Sequence, residues 1–182
     1  MDVNDIYLVN YRHSNCEPLK SITQLPEKEA CKLAEKLFKE CPCRAHNRFG
    51  PNFEGYYKHR QKTEKWLYDK FIAIGGKPQI MHPYYFALHN WEKSYAYFEY
   101  GKIIKLGLKD IDMCDVSFTF GDSSKEMDSP RRKDPFLKDT LLDLINLNNN
   151  DVEQFLDSIK QQYDCIEAQL WTDKYFNNLF TV

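Results

Sequence analysis

The sequence lacks the features that mark membrane, secreted and repeat proteins. No apolar run approaches the roughly 18 residues that cross a bilayer. The opening residues, MDVNDIYLVNYRH, have no basic stretch followed by an apolar core, as a signal peptide would, and no internal repeats occur. We therefore expect a cytoplasmic protein with no membrane partner.

An excess of charge of one sign is also lacking. The 182 residues carry a formal net charge of −2, which gives no general attraction to nucleic acid, although a local basic patch can still provide one. The chain is 42% hydrophobic and 15% aromatic, enough to bury one sizeable core. Composition therefore predicts a single domain over residues 1–182.

Patterns typical of metal sites and hydrolase triads are weak. The six cysteines are expected to be free thiols in a cytosolic chain. Cys41 and Cys43 form the only close pair, and they lack the two-residue spacer of common zinc sites. The five histidines show no ligand spacing, and Asp122 beside Ser123 has no obvious histidine partner. The sequence thus predicts no metal.

Hydrophobic periodicity predicts the order of helices and strands. Alternating, β-rich segments predict strands at residues 5–12, 102–108, 115–124 and 165–171. Apolar residues at helical spacing predict helices at residues 27–40, 53–73, 136–147 and 152–163. The aromatic segment KPQIMHPYYFALHNW is expected to be extended. This order is typical of an α+β domain with a mainly antiparallel, split β-sheet and helical insertions.

The helix at 53–73 carries two charged residues within its apolar stripe. Arg60 and Glu64 lie at i,i+4 spacing, so we expect them to pair with each other or with a buried polar partner. The same helix admits another interpretation, a basic and aromatic surface that binds a polyanion. That surface would comprise Tyr56, Lys58, His59, Arg60 and Lys62.

The segment CIEAQLW, residues 165–171, places a carboxylate on a predicted strand. Alternation puts Ile166, Ala168 and Leu170 on one face and Glu167 with Gln169 on the other. A carboxylate on a central strand is costly unless it is partnered or faces a wet cleft. Glu167 is therefore either a structural partner, of Arg12 or of an arginine in the turn at 44–48, or part of a site.

Polar residues also mark two other predicted strands. Arg12 and His13 end the first strand, and Ser117 and Thr119 share one face of the strand at 115–124. If these strands are neighbours of the last one, their polar groups line one cleft with Glu167. Such a set can hold a phosphate or ribose and stabilise an oxocarbenium-like centre.

Three segments resemble a known family in the same order. HPYYFALHNW, VSFTFGDSS and IEAQLWTDKYFNNL are similar to segments of the ADP-ribosyltransferase superfamily, most closely of its DNA-modifying toxin branch. The resemblance covers about half of the chain, and it implies NAD as substrate in a cleft between two sheets. The macromolecular acceptor is left open by it.

The resemblance also implies roles for individual residues. Glu167 would be catalytic, and Arg12 or His13 would bind the phosphate or ribose on the nicotinamide side. Tyr85 would wall the nicotinamide pocket, which Ser117 and Thr119 would support. Gln169, on the strand face of Glu167, belongs to the same expected cofactor site.

One departure from the family pattern concerns an arginine. The toxin branch carries an arginine shortly after its Tyr-Phe stretch, whereas this chain has Ala87, Leu88, His89 and Asn90 there. His89 is the expected substitute, although neutral imidazole holds a pyrophosphate less well than arginine does.

A second class of function stays open beside an NAD-consuming transferase or a degenerate relative of it that binds a nucleotide. The chain can instead be a non-catalytic interaction protein that binds a protein or nucleic-acid partner through an aromatic and basic surface. The stretch Arg131-Arg132-Lys133 is the candidate for such a surface. The two classes differ in whether the first, middle and last strands meet at one cleft.

Overall fold

Five antiparallel strands form one continuous sheet in the computed structural model, which describes residues 5–41 and 43–176. The strands are β1 (Tyr7–Arg12), β2 (Tyr84–Leu88), β3 (Lys102–Gly107), β4 (Val116–Phe120) and β5 (Ile166–Leu170). Their order is β3-β1-β2-β5-β4. The predicted α+β class with an antiparallel sheet is confirmed. The expected split does not occur, because β2 pairs with both β1 and β5.

Helices fill the connections between the strands. They are α1 (Glu27–Glu40), α2 (Phe53–Ala73), α3 (Glu92–Tyr97), α4 (Ser123–Glu126), α5 (Lys138–Asn146) and α6 (Val152–Ile159). Short 3-10 turns occupy Ile22–Gln24, Arg44–Phe49, Leu108–Asp110 and Met113–Asp115. None of the helices in the described residues is long and apolar enough to cross a membrane.

The long helix α2 has the predicted bounds. It ends where Gly75 takes a φ of 101°, which glycine adopts without steric cost, and where Gly76 N donates to Phe71 O at 2.8 Å. That bond satisfies a carbonyl of the last turn. No helix was predicted at α3 or α4, and α4 begins within the segment at 115–124 that was predicted to be a strand.

One face of the sheet carries the main apolar core. Phe86, Phe118 and Ala168 point from neighbouring strands into this core and are almost completely buried. The amphipathic helices α5 and α6 cover them with buried residues such as Leu141 and Phe155. Ile166, Ala168 and Leu170 all belong to this cluster, so the predicted facing of β5 is confirmed.

Helix α2 lies against the opposite face. Its Leu67 and Phe71 form a buried cluster with Trp171, which follows β5, and the rings of Phe71 and Trp171 stack with centroids 5.3 Å apart. Helix α1 in turn contacts α2, with Ala30 and Ala34 near Phe53 and Tyr57. The polar side chains of β4 and β5 are therefore enclosed between the sheet and α2.

A candidate ligand site on the polar face of the sheet

Strand register brings the predicted polar residues together. Gln169 on β5 lies opposite Ser117 on β4 and Tyr85 on β2. Glu167 lies opposite Thr119 on β4, in the adjacent row. The middle and last strands therefore meet on one face, as the site prediction requires.

Four of these polar side chains form a continuous hydrogen-bond network. Ser117 Oγ donates to Gln169 Oε1 at 2.9 Å and accepts from Trp171 Nε1 at 2.9 Å. Gln169 Nε2 donates to Thr119 Oγ1 and to Glu167 Oε2, both at 3.0 Å. Ser117, Thr119 and Gln169 are at most 3% exposed. These three side chains are buried behind the surface that Glu167 reaches. The hydrogen bond from Gln169 holds the Glu167 carboxylate in place.

Glu167 is half-buried and only partly satisfied by the protein. Its Oε2 also accepts a hydrogen bond from Ser123 N at 3.1 Å, while Oε1 accepts none from the described residues. Burial, reinforced by the nearby Asp122 carboxylate, raises the pKa of Glu167 to about 7, although Arg60 opposes the shift. The carboxyl group therefore changes charge near neutral pH.

A second carboxylate, Glu64 of α2, is completely buried and fully partnered. It accepts from Arg60 Nη2 at 3.0 Å, Tyr85 OH at 3.2 Å and Thr23 Oγ1 at 3.1 Å. His82 Nδ1 lies 2.6 Å from its other oxygen. The predicted pairing of Arg60 with Glu64 is confirmed. Sequence reasoning missed the partners from distant segments, because no local spacing reveals them.

Arg60 and Tyr85 lie between the two carboxylates. The guanidinium carbon of Arg60 stands 4.2 Å from the centre of the Tyr85 ring. Burial opposes the charge of Arg60, but Tyr85, Tyr56, Glu64 and Glu167 together raise its pKa well above the usual value. Burial also opposes the charged form of Tyr85, and for a phenol this raises the pKa. Arg60, from a helix, is thus the cation that acts on Glu167.

An open cleft of about 1600 Å³ runs along this side of the molecule. Glu167, Tyr85, Arg12 and His13 all contribute to its wall. The predicted common cleft is therefore present only in part, because Ser117, Thr119 and Gln169 are buried and do not line it. Arg12 bonds the carbonyl of Cys16 and lies towards the other end. Within the described residues, neither Arg12 nor His13 forms an ion pair with Glu167.

His89 does not take the place of the missing arginine. It is 3% exposed, its ring stacks on that of Tyr7 with centroids 4.2 Å apart, and Nδ1 lies 3.1 Å from Glu153 Oε1. These contacts hold it away from the cleft wall.

The basic residues of α2 are engaged by neighbours within the chain. Lys58 pairs with Glu54 one turn earlier, and Lys62 pairs with Asp128 at 2.8 Å. Arg60 forms an ion pair with Glu64. This part of the surface therefore resembles a solvated helix face with ion pairs, and a polyanion would have to compete with those pairs.

The stretch Arg131-Arg132-Lys133 is engaged in a similar way. Arg131 pairs with Glu126 at 2.8 Å, and Lys133 lies 4.6 Å from the centre of the Phe120 ring. Arg132 stands 4.9 Å from the centre of the Trp66 ring. These contacts favour a structural role for the stretch.

A group of histidine and cysteine side chains lies at the Arg12 end of the cleft. Ligand atoms of His13, Cys43 and His46 lie within 4.8 Å of one another, and Cys16 Sγ lies 3.3 Å from His46 Nε2. Sequence reasoning missed this group because it compared histidines with histidines and cysteines with cysteines. The mixed spacings His13-x₂-Cys16 and Cys43-x₂-His46 were the available signal.

Comparison of the chain with protein-family models, with curated proteins and with solved structures found no match. The resemblance to ADP-ribosyltransferases therefore depends on the residues quoted for it and on the site geometry described above.

Proposed function

We propose that the cleft binds NAD and that the protein is an ADP-ribosyltransferase-like enzyme with Glu167 as its catalytic carboxylate. The observation that carries this proposal is the state of Glu167 itself. The network below it holds Oε2, Oε1 is free of partners among the described residues, and the pKa is raised to about 7. Perturbed carboxyl groups at a cleft wall are typical of functional sites.

The reaction requires stabilisation of positive charge on a ribose. When the bond between nicotinamide and ribose breaks, its electron pair leaves with nicotinamide, and the ribose becomes oxocarbenium-like. An ionised Glu167 beside the ribose would accept a hydrogen bond from a hydroxyl and stabilise this charge. An acceptor nucleophile or water then bonds to the ribose carbon and gives up a proton.

The neighbours of Glu167 support these steps. Arg60 favours the ionised carboxylate, and the Tyr85 ring gives an apolar wall for the nicotinamide. Arg12 also lines the cleft, and a guanidinium group can bind a phosphate oxygen. These are the roles that the resemblance implies for Arg12 and Tyr85.

A turnover assay with one pair of variants tests the proposal. We expect wild type to release nicotinamide from NAD, and Glu167→Gln to retain fold and NAD binding while turnover falls by about 100-fold or more, as when one charge-stabilising group is removed. Glu29→Gln is the matched control, because Glu29 is exposed on α1, and it should be fully active.

Two results would contradict the proposal. The first is the absence of any NAD-dependent rise in the melting temperature of the wild type. The second is a Glu167→Gln variant as active as the wild type, which would assign Glu167 a purely structural role.

A further inference from the structure

The cleft end near Arg12 contains a set of zinc-type ligands. His13, Cys43 and His46 are each at most 8% exposed, and their ligand atoms lie within 4.8 Å of one another. Cys16 Sγ approaches His46 Nε2 to 3.3 Å. In a tetrahedral zinc site, Zn–S and Zn–N bonds of about 2.3 and 2.0 Å place sulfur and nitrogen about 3.5 Å apart. His13, Cys43 and His46 therefore already lie near ligand spacing, and Cys16 is at that spacing from His46, so a bound metal would have to draw Cys16 Sγ towards the other two.

Two short turns present these residues in pairs. Cys16 N donates to His13 O at 3.0 Å, and His46 N donates to Cys43 O at 3.0 Å. Each turn thus brings together a histidine and a cysteine separated by two residues, a spacer common in zinc sites. One turn follows β1 and the other opens the 3-10 segment Arg44–Phe49, so the pairs come from distant parts of the chain.

Hydrogen bonds outside the set orient the imidazole of His46. Its Nδ1 lies 2.7 Å from the carbonyl oxygen of Cys41, and since a carbonyl can only accept, Nδ1 carries the proton. Nε2 then keeps its lone pair on the side of Cys16. A histidine that binds a metal commonly donates its other ring nitrogen to a carbonyl in this way.

The surroundings of His13 also suit a ligand. Its Nε2 lies 3.6 Å from Glu99 Oε2, the position of an outer carboxylate that would hold the proton of the ring. Its Nδ1 accepts from Asn15 N at 3.2 Å, a contact that metal binding through Nδ1 would replace.

We propose that His13, Cys16, Cys43 and His46 bind one Zn²⁺ that joins the end of β1 to the segment following α1. Two thiolates and two neutral imidazoles balance the charge of the ion and fill a tetrahedral shell. The site is structural, because no coordination position is left for substrate. Cys41 is assigned to the surroundings of the shell, where its carbonyl orients His46. Its Sγ accepts from Asn15 Nδ2 at 3.1 Å and lies 3.6 Å from His13 Nδ1, so Cys41 is the competing thiol that the variants below must separate from Cys16.

Metal analysis of the full chain purified under reducing conditions tests this site. We expect about one zinc per wild-type chain, as a closed four-ligand site would hold, and loss of most of it in Cys16→Ser and Cys43→Ser. Cys41→Ser is the close control and Cys31→Ser, on α1, the distant one, and both should keep the metal. Loss of zinc in Cys41→Ser but not in Cys16→Ser would overturn the assigned ligand set.

Titration of metal-free wild type with Co²⁺ covers the case in which the variants do not fold. We expect saturation at one equivalent, with a thiolate charge-transfer band and the intense d–d bands of tetrahedral cobalt, and displacement by Zn²⁺. Weak octahedral spectra, or failure of either ion to bind reduced protein, would overturn the proposal. None of these measurements depends on NAD.

Discussion

The two faces of the central sheet bury different kinds of side chain. Under α5 and α6 the strands present side chains such as Phe118 and Ala168, which need no hydrogen-bond partner. Under α2 the same two strands present Ser117, Thr119 and Gln169, each of which needs one. Apolar packing stabilises the first face, whereas the second is tolerated only because its polar atoms bond one another.

The contrast separates the structural polar groups from the functional candidate. Ser117 and Gln169 are completely buried and bonded within the sheet, and Glu64 is bonded from four directions. Glu167 alone in this network both lines the cleft and titrates near neutral pH. Within this network, Glu167 is therefore the group that a ligand in the cleft can contact.

The apolar face should show the largest loss of stability. Phe118 is fully buried on that face, so Phe118→Ala should lower the free energy of unfolding by about 3–5 kcal/mol through lost burial and a residual cavity. Urea denaturation followed by circular dichroism measures this. Leu147→Ala, at a residue that is 82% exposed, should change the free energy of unfolding by less than about 0.5 kcal/mol. Similar losses in both variants would show that burial on the apolar face is not the source of this stability.

The polar face should show a pH dependence that the apolar face lacks. The pKa of Glu167 rises from 4.5 to about 7 on folding, so the folded protein binds the extra proton. The resulting stabilisation is complete below pH 4.5 and is lost as the pH rises through about 7.

The size of this effect follows from the shift. At about 1.4 kcal/mol per pKa unit, wild type should lose up to about 3 kcal/mol relative to Glu167→Gln between pH 4.5 and pH 8. Urea denaturation of both proteins at several pH values gives this difference. A difference that stays constant over the range would show that Glu167 has an ordinary pKa.

The hydrogen-bond network should account for a smaller effect. Ser117→Ala removes the partner of both Gln169 Oε1 and Trp171 Nε1, and unsatisfied buried groups should cost about 1–3 kcal/mol. Ser158→Ala, at an exposed serine of α6, is the control and should be nearly neutral. Thermal unfolding of both variants measures their stability relative to wild type. An unchanged stability of Ser117→Ala would mean that water replaces the hydroxyl.

Local patterns were enough to predict much of this architecture. The apolar stripe and the glycines after residue 73 predicted the bounds of α2, and alternation predicted which face of β5 carries Glu167. The i,i+4 spacing predicted the pairing of Arg60 with Glu64. Each of these features is decided by residues close in sequence.

Other features depend on contacts between distant segments. The sequence suggested Arg12 or an arginine of the turn at 44–48 as the partner of Glu167, but docking of α2 on the sheet makes Arg60 the arginine that acts on this carboxylate. The partners of Glu64 from residues 82 and 85 depend on the same docking. Helix α3 was missed because the aromatic residues around Trp91 conceal its short helical period.

The most direct test of the proposed role of Glu167 is to titrate its carboxyl group by carbon-detected NMR, with and without NAD. We expect an apparent pKa of about 7 in the free protein and a lower pKa with NAD, because a hydrogen bond from a ribose hydroxyl favours the ionised form. A pKa of about 4.3, the value of an ordinary glutamate, together with no response of the Glu167 signal to NAD, would contradict it.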